Sequence, residues 1–180
     1  AGPVLGPAVA EFDKSLQPLG LTRDWTTLGE YFARLERQGI SMNIASYVGS
    51  GQVRSCVLGN VNRAPTPEEL AKMKELVAQA MREGALGLAA GLIYPPNMFA
   101  KTDELIELAK VAAQYGGIYA THLRGEGAHG IQAINETIEI SEKAELPAHI
   151  FHFKMDGRAN WGRMGRQVAH IQAARERGVD

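Results

Sequence analysis

Hydrophobic and polar positions alternate in a regular rhythm along most of the chain. Residues 1–24 carry few periodic signals and read as a loop-rich lead-in. Behind Asp24, the apolar positions Leu28, Tyr31, Phe32 and Leu35 recur at helical spacing and predict a helix over 25–38, stopped by Gly39. Residues 42–48 read as a strand closed by Gly49-Ser50-Gly51. Thr66-Pro67-Glu68-Glu69 is a helix start, with Thr at the cap, Pro in the first turn and Glu at the third position. Leu70, Met73, Val77, Ala80 and Met81 continue that helix to Gly84, and a short apolar strand over 85–92 runs into the loop Tyr94-Pro95-Pro96. The pattern repeats. Thr102-Asp103-Glu104 starts a helix carrying Leu105, Ile106, Ala109 and Ala112; Gly116-Gly117 stops it before a strand over 118–123. Ile131, Ile134, Ile138 and Ser141 mark the next helix face. Pro147 precedes a strand over 148–154, and Asn160 reads as the cap of a helix over 161–177.

The last three strands start about 30 residues apart, the length of one strand–helix unit. Such units build a parallel α/β sheet with right-handed crossovers. Four strands are half of what a closed (β/α)₈ barrel needs. Residues 25–180 therefore read as a partial barrel of about four units. The opening at Ala1 and the close at Gly178-Val179-Asp180 suggest a piece of a longer protein.

Composition narrows the partners. The 180 residues are 45% hydrophobic and 22% charged, with 20 Gly and 8 Pro, as in a folded domain. The net charge of −1, without a basic stripe bearing aromatics, argues against nucleic acid. No apolar run reaches the roughly 18 residues of a membrane span. One cysteine forms no internal disulfide and favours a reducing, cytoplasmic setting.

Strand alternation singles out two histidines. In the strand over 118–123, Ile118, Ala120 and His122 share a face with Arg124 beyond them; in the strand over 148–154, so do Ala148, Ile150, His152 and Lys154. Each strand thus ends in a His followed two residues later by a cation. If the strands are neighbours, His122 and His152 point inward side by side at the carboxyl ends, where barrel enzymes keep their catalytic groups. Two imidazoles so placed can share one Zn²⁺. On spacing alone they read equally well as strand-end residues bonded to a neighbour. His149 is expected on the opposite face, and His129 and His170 read as loop and helix-surface residues. Glu126 and Asp156 follow strand ends and read as solvated loop residues.

The stretches Thr121-His122-Leu123-Arg124-Gly125-Glu126-Gly127 and His149-Ile150-Phe151-His152-Phe153-Lys154 resemble the N-acyl-D-amino-acid deacylases of the amidohydrolase superfamily. So do Asn43-Ile44-Ala45-Ser46-Tyr47-Val48-Gly49, Arg63-Ala64-Pro65-Thr66-Pro67, Gly91-Leu92-Ile93-Tyr94-Pro95-Pro96 and Gly157-Arg158-Ala159-Asn160-Trp161-Gly162, in family order. The resemblance implies a distorted (β/α)₈ barrel, zinc, and hydrolysis of the amide bond of an N-acyl-D-amino acid. It implies that His122 and His152 are zinc ligands on the fifth and sixth strands, that Lys154 helps bind the substrate carboxylate, and that Tyr94 lies near the acyl pocket. Arg124 is a supporting or substrate contact.

The family's first-strand His-x-His pair, its bridging Cys, its eighth-strand catalytic Asp and its β-sandwich have no counterpart in this sequence, and Cys56 stands in the wrong place for the bridging role. No catalytic residue is therefore expected in this segment. The chain alone is expected to be inactive and to need a missing barrel half or self-association. Two other readings stay open: a metal-free barrel lyase using Lys154 as Schiff-base nucleophile, and a non-catalytic α/β fragment that mediates assembly through its sheet edges.

Overall fold

The computed structural model describes residues 2–180. Its centre is a four-stranded parallel sheet in the order β1 (Val48–Gly49), β2 (Gly87–Gly91), β3 (Ile118–His122) and β4 (Ala148–Ile150). Sequence order equals spatial order, as expected when each crossover returns the chain one position further along. The crossovers are α3 (Ser50–Val57) with α4 (Pro67–Arg82), then α5 (Thr102–Ala113), then α6 (Gly130–Ala144). The chain begins with α1 (Ala8–Leu16) and α2 (Leu28–Gln38) and closes with α7 (Met164–Glu176). No helix among the described residues is long and apolar enough to cross a membrane.

Local chemistry sets the helix starts. Thr66 accepts from the Glu69 amide while Glu69 accepts from the Thr66 amide, a complete capping box with Pro67 in the first turn. Thr27 and Glu30 do the same for α2, which therefore starts at Leu28 and not behind Asp24. Asp24 instead pairs with Arg34, whose hydrogen bond holds its carboxyl below the usual range.

The core lies on the helix side of the sheet. Leu88, Tyr119 and Val48 have no exposure and pack among Met73, Val77, Leu105, Leu108 and Ala109. Gly87 is required where β2 meets β3: its φ is +152°, and a Cβ there would stand 2.0 Å from the Ile118 carbonyl oxygen. The other side of the sheet is concave. Tyr47 and Phe151 flank the two edge strands, yet their rings meet at 6.3 Å between centroids. A flat sheet would hold those strands about 14 Å apart, so the sheet is curled like part of a barrel wall.

Three segments differ from the pattern-based expectation. The lead-in contains a helix, α1, started at Pro7 and laid on α3; its Gly/Pro-rich approach hid the pattern. The strand expected over 42–48 shrinks to Val48–Gly49, because β1 is an edge with one neighbour. Beyond it, Ser50-Gly51 opens α3 and does not form a turn. The helix expected over 161–177 starts at Met164 behind Arg163, and Asn160 ends a short 3₁₀ turn.

Within α3, Arg54 has no side-chain exposure. It donates to Glu104 of α5 at 2.5 Å and to the carbonyls of Val61 and Arg63. Removing one member strands a buried charge, so Glu104→Gln is expected to cost about 3–5 kcal/mol. Urea unfolding with a cost below about 1 kcal/mol would contradict this. On the surface, the hydrogen bond from Arg63 holds the Glu69 carboxyl down to about 2 from 4.5. A depressed carboxyl stabilises the fold above its unfolded value and loses that contribution as pH falls through the folded one. The stabilisation is therefore present above about pH 4.5 and lost toward pH 2. A carboxyl NMR titration of Glu69 with an ordinary midpoint would refute it.

Candidate metal centre

The parallel sheet sends the ends of β2, β3 and β4 to one rim, and four sequence-selected residues meet there. His122 ends β3, and its ring lies 4.5 Å between centroids from that of His152, edge to face. Tyr94, in the turn after β2, stacks edge-on against His122 at 5.6 Å. Lys154 Nζ stands 2.9 Å from His152 Nδ1.

The two histidines meet by a different route from simple alternation. Tyr119 pairs with Ala148, Ala120 with His149 and Thr121 with Ile150. Paired residues of parallel strands share a side, so His149 lies on the side of Ala120 and His122, contrary to the expectation for it. A straight β4 would carry His152 to the helix side with Ala148 and Ile150. The strand instead ends at Ile150, and a turn in which His152 has φ +36° swings its ring onto His122. A positive φ at a non-glycine residue is sparsely populated and is held by its surroundings.

The residue that sequence reasoning missed is Glu126. Expected to be solvated, its side chain is only 12% exposed. Its Oε1 lies 2.6 Å from Lys154 Nζ, 3.1 Å from His152 Nδ1 and 3.9 Å from His122 Nδ1. Its backbone carbonyl accepts from the Asp156 amide at 2.7 Å, which ties the loops after β3 and β4 together. Potential ligand atoms of His122, Glu126 and His152 all fall within 4.8 Å of one another. Because a carbonyl can only accept, His122 Nδ1 at 3.0 Å from the Leu123 oxygen carries its proton there, and Nε2 keeps the free lone pair.

Arg124 lies outside this cluster. Its Nε and Nη2 donate to Glu136 of α6, and its guanidinium also reaches the carbonyls of Met98 and Ala100. Glu136 further accepts from Thr102 at the start of α5. Cys56 is also remote: it is buried in α3, its thiol faces the Pro3 carbonyl, and burial pushes its pKa up. His129 and His170 are exposed on a loop and on α7, as expected.

Comparison with known proteins places this rim in context. No protein-family model matches the chain. A D-aminoacylase from Alcaligenes xylosoxydans xylosoxydans is 38% identical over 148 residues, which are 82% of this chain and 31% of that protein. A solved D-aminoacylase with a binuclear metal centre superposes with a TM-score of 0.79 at 35% identity over 82% of this chain and 31% of its own. The N-acyl-D-glutamate deacylase of Bordetella bronchiseptica, solved with zinc and a phosphonate mimic of the tetrahedral intermediate, gives 0.82 at 31% identity over 88% and 34%. In sequence and in fold, the chain resembles the N-acyl-D-amino-acid deacylases. Its curled sheet superposes on part of those deacylases, and the chain spans about a third of the length of the deacylases it matches.

The Arg124 network yields a prediction about the Tyr94 loop. Arg124→Ala leaves Glu136 short of its partner and frees the 98–100 carbonyls, at an expected cost of about 1–3 kcal/mol. Amide exchange at Met98 and Ala100 should quicken. Unchanged exchange and unchanged urea stability would contradict that role.

Proposed function

We propose that this chain supplies two zinc ligands, His122 and His152, of a metal-dependent amidohydrolase that cleaves the amide bond of N-acyl-D-amino acids. The contact between the two imidazoles, with Glu126 and Lys154 beside them, carries the reading. The residues fit the metal. Neutral imidazoles are the commonest zinc ligands, and the Leu123 carbonyl leaves His122 with the right nitrogen free. When bound, zinc lowers the pKa of a coordinated water and polarises the scissile carbonyl.

The chain's other groups take binding roles. Lys154 is half exposed at the rim and offers its ammonium to the substrate carboxylate, fixing the orientation of the amide. Tyr94 forms a wall next to His122 on the acyl side. Arg124 supports that wall by anchoring the 98–100 segment. A catalytic zinc has about three protein ligands plus water, and a carboxylate base must take the water proton. Glu126 is already engaged by a lysine and a histidine. We infer that the chain alone is inactive and that a further barrel half, or a second copy, covers the concave face and completes the site. Its lone cysteine suits a reducing, cytoplasmic setting.

Metal content per chain after dialysis against trace zinc tests the ligand assignment. The expected outcome is near-stoichiometric zinc that disappears in His122→Ala/His152→Gly, where glycine preserves the positive φ. Zinc absent from the chain, or equal in chain and variant, would sink the assignment.

A further inference from the structure

We propose that Glu126 is the positioning residue of this rim, orienting the His152 imidazole and the Lys154 ammonium through a single carboxylate oxygen. The inference deepens the proposed metal site and rests on it. Glu126 comes four residues after His122, on a loop, yet its side chain is as sheltered as that of His122, at 12% against 13% exposure. A loop carboxylate seldom gives up that much water without partners. Here the partners converge on one atom: Oε1 stands 2.6 Å from Lys154 Nζ and 3.1 Å from His152 Nδ1.

The donor inventory assigns the roles. An ammonium has only protons to give, and a carboxylate only accepts. Lys154 Nζ and His152 Nδ1 lie 2.9 Å apart. Lys154 has a second proton that Nδ1 could accept, but the arrangement that leaves Nε2 of His152 free for a metal is the one in which Lys154 and His152 both donate to Oε1. His152 then carries its proton on Nδ1 and presents Nε2. His122 presents the same nitrogen, held by a different acceptor, the Leu123 carbonyl. Carboxylates and carbonyls behind metal-binding imidazoles fix the tautomer and ring direction in this way, and losing one costs about 10–100-fold in metal affinity.

Two further observations support an orienting role over direct ligation. The oxygen that faces the histidines is the same one that accepts from Lys154, so its charge is already shared with an ammonium. The His152 backbone also sits at φ +36°, which needs outside contacts to persist, and Glu126 supplies one from the neighbouring loop. The backbone bond from the Asp156 amide to the Glu126 carbonyl fixes the spacing of the two loops. Glu126 thus links the residue proposed to hold metal with the residue proposed to hold the substrate carboxylate.

The test is metal binding by the 180-residue chain, read by chelator competition and by NMR. In the unaltered chain loaded with ¹¹³Cd²⁺, coupling from cadmium to the ring nitrogens is expected at Nε2 of His152, with Nδ1 protonated. Glu126→Gln should weaken zinc binding about 10–100-fold and mix the His152 tautomers. Glu126→Asp, which keeps the charge, should recover part of the loss. Cadmium coupled to Nδ1 of His152, or Glu126→Gln binding zinc as tightly as the unaltered chain, overturns the proposal. So does a Co²⁺ spectrum that loses an oxygen ligand in Glu126→Gln, since Glu126 would then be a ligand itself. The cadmium experiment needs no variant, so it decides between the two nitrogens even where Glu126→Gln folds poorly. Failure of the underlying site reads differently: His122→Ala/His152→Gly would bind zinc as well as the unaltered chain.

Discussion

In a parallel sheet each crossover must carry the chain back to its starting edge before the next strand can begin. The loops leaving β2, β3 and β4 therefore all depart from one rim. Nothing else in the chain could gather Tyr94, His122 and Lys154, which are separated by about 30 residues each. The remaining features serve that constraint. The helix-side core of Leu88, Tyr119 and the α4–α5 side chains holds the strands in register. The buried pair of Arg54 and Glu104 joins α3 to α5 across the back of the sheet.

The two faces of the sheet are unequal. One is packed by helices to zero exposure at several positions, and the other curls around a hollow into which Tyr47 and Phe151 lean. His149 is exposed on that hollow side. A closed barrel fills its interior with side chains from every strand. The four strands here fill one side, which agrees with a chain spanning about a third of the deacylases it matches.

What the sequence revealed depended on how local the cause was. The capping box at Thr66 and Glu69 lies within four residues and was legible to the residue. The repeat of strand and helix was legible because its period recurs. The pairing of His122 and His152 was legible from their equivalent positions in the repeat, although the alternation argument behind it fails: the register sets Ala148 and Ile150 on the side away from His122, and the turn after Ile150 brings the two rings together. Arg124 shows the limit of alternation: its partners Glu136, Met98 and Ala100 lie on a helix and a loop that its strand does not predict. Glu126 was hidden for a similar reason. Its shelter comes from a loop folding back toward another loop, and neither has a period to read. Ser50-Gly51 misled because the same residues that close a strand also open a helix.

The turn at His152 has a consequence for the history of that position. Among non-glycine residues, asparagine, aspartate and histidine enter the positive-φ region most readily, and β-branched residues almost never do. Position 152 is thus filtered twice, once by the backbone and once by whatever chemistry the ring performs. The backbone filter alone already admits histidine and shuts out valine and isoleucine. A mutational path away from histidine at this site is accordingly narrow, and it runs most easily through asparagine, aspartate or glycine.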